Sequence, residues 1–385
     1  MCNKTNVKHM LEIVLASMLM LSYSHVIVHI GENQTMPNLV DIKSLNHSEL
    51  ESLLKQIGEP RFRVRQLEQW LYKRGASTFV EMSNLSSALR TKLAEDYFIG
   101  IPSLAAKQVS QDGTRKYLFR LSDGATVESV GIPSKDGTRL TVCFSTQAGC
   151  PMNCSFCATG QGGFTRNLSI GEIYDQVRLV GEDFEQRVSN AVAMGQGEPF
   201  LNYDNVLAAI RYLNSADGME IGARHITVST CGLIDGIQRF SEEPEQFTLA
   251  ISLHSSIQEV RDELMPGVQN IKLPALKNAI KDYGEKTKRR PTLEYALIND
   301  TNDTFADVDS LTEFCRGMLC HVNLIPLNPI DRSSLDDSSL LLEPSKHMKE
   351  FESELANRGL EVSIRSSRGG DIDGACGQLK QHLSE

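Results

Sequence analysis

From about residue 140 onward, short apolar runs alternate with longer stretches whose apolar positions recur every three or four residues. The runs Leu140–Phe144, Ala191–Met194, His225–Ser229, Thr248–Leu253, Thr292–Leu297, His321–Ile325 and Leu360–Ile364 predict strands. The stretches Ser169–Phe184, Asn202–Asn214, Leu273–Tyr283, Thr304–Met318 and Pro344–Arg358 predict helices between them. Strands alternating with helices imply a parallel sheet, and this many repeats predict an α/β fold closed into a full or partial barrel. In such barrels the reactive groups gather at the C-terminal ends of the strands. Residues 36–100 read differently. Caps at Leu45–Leu50 precede Leu53 and Leu54, and Arg65–Tyr72 and Leu85–Leu93 continue the helical spacing. Between the two parts, Tyr117–Leu121, the turn Ser122-Asp123-Gly124 and Thr126–Val130 predict a β-hairpin. The expected organisation is a helical module over 36–100, a hairpin linker over 101–139, a barrel over 140–368 and a tail over 369–385.

The first 35 residues stand apart. Met10–Leu21 is mostly apolar but broken by Glu12, with Lys4 and Lys8 ahead of it. It is too short for a membrane span and has no convincing cleavage site, so it reads as a dispensable leader or an over-extended start rather than an export signal. Composition adds exclusions. With 41% hydrophobic and 23% charged residues among 385, the chain is neither disordered nor low-complexity. A net charge of −10 excludes a generally basic coat, though not a local basic patch. Two patches are candidates for nucleic acid: Arg61, Phe62, Arg63 and Arg65 with Trp70, Tyr72, Lys73 and Arg74, and the run Lys286, Lys288, Arg289, Arg290. Cations there can hold phosphates and aromatics can stack bases, or the patches are solvated helix faces.

Nine cysteines occur, and four lie between Cys143 and Cys157. That clustering points to metal or redox chemistry in a reducing compartment rather than to a disulfide framework. Cys150, Cys154 and Cys157 have the spacing CxxxCxxC just after the first barrel strand. Three thiols are an incomplete set for a four-iron cluster, which leaves one iron open to an outside chelator. A zinc clip lacks a fourth ligand at short spacing. Gly195-Gln-Gly197-Glu198-Pro199 follows a strand but fails as a dinucleotide fingerprint, because Phe200 stands where the third glycine belongs. Cys315 and Cys320 read as inert core thiols.

The CxxxCxxC loop with an aromatic before its last cysteine resembles that of the radical S-adenosylmethionine (SAM) enzymes. Together with Gly197-Glu198, Cys143 and the tail motif Arg368-Gly-Gly-Asp371-Ile-Asp-Gly-Ala-Cys376-Gly, the chain over about 40–380 resembles the RlmN/Cfr family of RNA methyltransferases. The resemblance implies a partial (β/α)6-type radical SAM barrel behind a small helical accessory domain. It implies one 4Fe–4S cluster on Cys150, Cys154 and Cys157, and SAM held by Gly197, Glu198, Ser229, Ser252, Leu253, His254 and Asn328. Its implied substrates are an adenosine of the peptidyl-transferase centre of 23S rRNA and the adenosine 3′ of the anticodon in tRNA, methylated at C2. An electron-poor ring carbon cannot attack a sulfonium methyl group. The family therefore methylates a cysteine, matched by Cys376, and turns that methyl into a radical that adds to C2. Glu128 matches the base that then removes the C2 proton, and Cys143 the thiol that releases product through a transient disulfide with Cys376. The implied setting is a cytoplasmic monomer, without a membrane, supplied with electrons by a donor such as flavodoxin. Methylation at adenine C8, a non-catalytic Fe–S electron carrier and a zinc-binding RNA adaptor remain as alternatives.

Overall fold

A computed structural model describes residues 39–328, 330 and 342–379. The leader at 1–35 and the end of the tail lie outside the described residues. Two short parallel strands, β1 (Val40–Asp41) and β2 (Tyr97–Phe98), tie together the ends of the helical module. Between them run the helices His47–Ile57, Phe62–Glu68 and Ser87–Asp96, with a π turn over Gln69–Lys73. Asn46 and Glu49 cap the first helix reciprocally, each side chain accepting the other's backbone N–H.

A single ten-stranded sheet forms the body, in the order β14-β13-β12-β11-β10-β9-β6-β5-β4-β3. Its antiparallel edge is β3 (Ser103–Val109), β4 (Arg115–Arg120) and β5 (Thr126–Pro133). The hairpin expected from the sequence is β4 and β5, and β3 adds an exposed strand outside it. From β6 (Leu140–Cys143) the neighbours are parallel: β9 (Val188–Ala193), β10 (Ile226–Thr230), β11 (Thr248–Ser252), β12 (Thr292–Leu297), β13 (His321–Pro326) and β14 (Val362–Ile364). A small ribbon of β7 (Gln147–Gly149) and β8 (Phe164–Asn167) flanks the cysteine loop. Among the described residues the two edges, β3 and β14, are not paired, and the parallel strands form a partial barrel. Helices Ile170–Asp183, Tyr203–Asn214, Ile234–Glu242, Gln258–Leu264, Leu273–Thr287, Phe305–Cys315 and Met348–Asn357 follow the strands.

One continuous apolar core runs from the helical module through the barrel. At the junction Lys43 and Asp175, both fully buried, form an ion pair, and Arg178 Nε donates to Asp175 Oδ1 at 2.9 Å. Tyr174 donates its hydroxyl to the Tyr72 carbonyl at 2.7 Å, and Tyr72 stacks on Tyr212 with ring centroids 3.8 Å apart. Among the described residues no helix is long and apolar enough to cross a membrane.

Candidate active site

The C-terminal ends of the parallel strands open on a cavity. Cys150, Cys154, Cys157 and Phe156 form one wall, and the strand ends supply Gly197, Glu198, Ser229, Ser252 and His254. Cys376 lines this cavity and also a second, adjoining one that holds Cys143 and Leu379. Residues 143 and 376 thus meet at one place, although 233 positions apart in the chain.

The cysteine loop is held through its backbone. Cys150 donates its N–H to the Gly163 carbonyl at 2.8 Å, and Cys157 donates to the Cys154 carbonyl at 3.1 Å. Burial pushes the Cys150 thiol up to about 12 and raises that of Cys154 as well. Buried neutral thiols become thiolates on binding a cation. Among the described residues no three His, Cys, Asp or Glu side chains close around a single-ion site. The three thiols line one wall of the cavity. The donor set of three thiolates beside an open cavity fits a 4Fe–4S cluster with one iron left for an outside ligand.

Glu198 is buried, with burial raising its pKa. Its Oε2 accepts from the Cys231 N–H at 2.7 Å and Oε1 from the Phe200 N–H at 3.0 Å. This fixes the carboxylate at the cavity wall. Gly197 has φ +104°, and a Cβ there would stand 2.7 Å from Gln147, so the crowding that demands glycine comes from the protein's own β7. Ser229 and Ser252 place their hydroxyls 3.5 Å apart on neighbouring strands. The Nδ1 of His254 accepts the Ala296 N–H at 2.9 Å, and burial pushes the imidazole down to about 3, so the ring is neutral with its proton on Nε2.

Three further expected site residues are engaged by the protein itself. The Leu253 side chain is buried in the core rather than facing the cavity. Asn328 lines the cavity, but its Nδ2 donates to the Cys376 carbonyl at 3.0 Å, so it holds the tail loop. Glu128 lies on β5 outside the lining of both cavities, with Lys116 Nζ 3.5 Å from its Oε1. That lysine also reaches the Asp373 carbonyl of the tail loop at 3.5 Å.

Sequence reasoning assigned no role to Arg365, which lines both cavities. Its Nη1 is 3.9 Å from Glu294 Oε2 and 3.5 Å from Met194 Sδ. Burial pushes the Cys143 thiol up to about 12, the nearby Cys376 adds to this, and the Arg365 cation opposes it. The basic patches are largely committed within the chain. Arg65 pairs with Asp217 at 2.8 Å, Lys73 with Glu220 at 3.0 Å, Lys286 with Glu242 and Arg290 with Glu361. Tyr72 is buried and offers no ring to a base, whereas Phe62 is exposed.

Fold, cysteine loop and strand-end cavity are those of the radical SAM superfamily, whose sequence pattern matches residues 144–307. That superfamily implies a 4Fe–4S cluster and SAM. Residues 38–99 match the ribosomal RNA large subunit methyltransferase N-terminal domain. A solved radical SAM methyltransferase from Sphaerobacter thermophilus is 40% identical, with a TM-score of 0.79, covering 88% of this chain and 99% of that one. A relative from Clostridium novyi (strain NT), named probable dual-specificity RNA methyltransferase RlmN, is 41% identical over 89% of this chain and 98% of its own. A like-named relative from Bacillus thuringiensis (strain Al Hakam) is 44% identical over 88% of this chain and 92% of its own. The chain belongs to the RlmN family.

Proposed function

We propose that this chain methylates RNA at adenine C2, acting on 23S rRNA at the peptidyl-transferase centre and on tRNA at the adenosine 3′ of the anticodon. The names of its relatives support RNA as substrate. The observation that carries the reading is the meeting of Cys143 and Cys376 in one cavity that adjoins the cysteine-loop cavity. When bound by Cys150, Cys154 and Cys157, the cluster supplies the one-electron chemistry that cleaves the SAM sulfonium and opens a route to an electron-poor carbon.

The chain's own residues do the rest. Glu198, Ser229, Ser252 and His254 orient SAM, with Gly197 letting the strand-end turn pack tightly. Cys376 carries the methyl carbon as S-methylcysteine to the base, and Asn328 fixes the height of its loop. Glu128 accepts the C2 proton. Once the adduct has given up its unpaired electron, which the cluster would take back when bound, the Cys143 thiolate attacks the Cys376 sulfur: the S–S bond forms, the carbon–sulfur bond breaks, and its electron pair takes up a proton at the released carbon to complete the methyl group. A donor of the flavodoxin type, a monomeric state and a cytoplasmic site complete the proposal. The target adenine has to be unstacked to reach the barrel mouth, which favours flexible RNA.

The test is nucleoside mass spectrometry of unmodified rRNA and tRNA after anaerobic incubation with reconstituted enzyme, reductant and SAM. The expected product is 2-methyladenosine, absent with Cys376→Ala. 8-Methyladenosine would move the target carbon. No methyladenosine from an enzyme that still cleaves SAM would refute the substrate.

A further inference from the structure

The helix Gln258–Leu264 and the turn after it pack directly against the cysteine loop. Ser155 donates its N–H and its hydroxyl to the Leu264 carbonyl at 3.0 and 3.3 Å, and the Gly267 N–H donates to the Met152 carbonyl at 3.0 Å. A Cβ on Gly267 would sit 2.6 Å from that carbonyl, so the approach is as close as a backbone allows. From this helix Arg261 turns inward and is fully buried. Its Nη2 donates to the Cys231 carbonyl at 2.6 Å, while Nε and Nη1 have no hydrogen-bond partner. No carboxylate pairs with it among the described ion pairs; the adjacent Asp262 is engaged by Gln258 and Lys272. A buried guanidinium so placed is costly in this state. Its charge is felt at the Cys154 thiol, at the Cys231 thiol and at His254, the groups around the inner end of the cysteine loop.

We infer that Arg261 is the buried counter-cation of the iron–sulfur cluster, its charge offsetting the thiolates and the electron the cluster accepts. The inference rests on reading Cys150, Cys154 and Cys157 as the cluster ligands. Net charge and hydrogen bonding near the sulfurs set the potentials of such clusters. A fixed cation stabilises the more negative, reduced form, so Arg261 raises the potential and eases electron entry from the donor. It acts on the cluster as an electrostatic positioning residue and touches no substrate.

The experiment compares wild type, Arg261→Met and Arg261→Lys as full-length protein. Each is melted without iron, then reconstituted anaerobically with ferrous iron and sulfide. Each is then titrated with dithionite while the reduced cluster is followed by electron paramagnetic resonance. Arg261→Met without iron is expected to melt at or above wild type, because a shape-matched apolar side chain replaces an unpaired charge. Its loaded form is expected to show a reduced-to-oxidised ratio at least tenfold lower at a fixed potential, about 59 mV for one electron. Arg261→Lys, which keeps the charge without the planar fork, is expected between the two and carries the same test if the methionine variant fails to fold. Loaded variants with the wild-type potential overturn the inference and make Arg261 a packing residue. A wild-type chain that takes up no cluster overturns the ligand reading itself, and the inference with it.

Discussion

At the scale of single residues, the chemistry proposed for Cys143 runs against its surroundings. Its thiol is buried and pushed up to about 12, yet it has to act as a thiolate. The opposing influence is Arg365, anchored by its backbone N–H to the Leu324 carbonyl at 2.8 Å and balanced by Glu294, which Asn323 Nδ2 contacts at 2.9 Å. Well below its pKa a thiol ionises about tenfold more for each pH unit gained. Alkylation of Cys143 by iodoacetamide, read by peptide mass spectrometry, is therefore expected to rise about tenfold from pH 7 to 8 and again to 9. Arg365→Met should slow it several-fold at each pH and leave the slope alone, while Arg365→Lys recovers part of the rate. A wild-type rate that levels off by pH 8 would contradict a thiol held neutral by burial.

At the scale of elements, the antiparallel edge of the sheet does more than link two parts. The β3–β4 turn clamps the loop that carries Cys376. Asp112 Oδ2 accepts from Arg368 Nε at 2.8 Å and from the Gly369 N–H at 3.1 Å, and Ser110 donates its hydroxyl to Asp371 Oδ1 at 2.6 Å. Burial works against the Asp112 charge, but hydrogen bonds from Thr114 and Gly369 prevail and hold the carboxyl well below its usual range. A depressed carboxyl gives stability that is present above the unfolded value of 3.8 and is lost as pH falls toward the folded one. Asp112→Ala should remove a charged hydrogen-bond set of about 1.5–3 kcal/mol, speeding amide exchange over 369–377 by about ten- to a hundredfold at pH 7. Exchange unchanged there would show that Asn328 and the Ala158 N–H bond to the Gly377 carbonyl suffice. None of this clamp is legible in the sequence, because its partners lie about 260 positions apart. What is legible is local. Apolar runs placed the parallel strands to within three residues at each end, and Thr292–Leu297 coincides with β12. The edge strand β3 escapes because Ser103–Val109 is exposed on both faces and has no alternation to read. The helix Gln258–Leu264 escapes because a charge, Arg261, occupies its buried face. Spaced cysteines announce a cluster loop; the cations that serve it do not.

At the scale of the whole molecule, the helical module and the barrel share one core, and the charge buried between them decides how firmly they join. Lys43 comes from the turn after β1, and Asp175 from the helix Ile170–Asp183. Both are withdrawn from water, with Tyr72 and Tyr174 rings 5.5 and 5.8 Å from the ammonium. In such a site one charge without the other costs about 3–5 kcal/mol, whereas replacing both by apolar residues of similar volume is often neutral or stabilising. Asp175 also holds Arg178, which keeps its pair with Glu182 at 2.6 Å, so loss of Asp175 strands Lys43, whereas loss of Lys43 leaves Asp175 with Arg178. Asp175→Asn and Lys43→Met are therefore each expected to lower stability by several kcal/mol in chemical denaturation, with Asp175→Asn the worse. The double variant Lys43→Met, Asp175→Asn should recover part of the Asp175→Asn loss but not all of it, since Arg178 still lacks its bond to Asp175. If the module only rests on the barrel, the single variants will instead unfold in two steps, with the barrel's midpoint unmoved and only the module's transition shifted. A single transition displaced as a whole would mean that the two parts fold as one cooperative unit, which their continuous core requires.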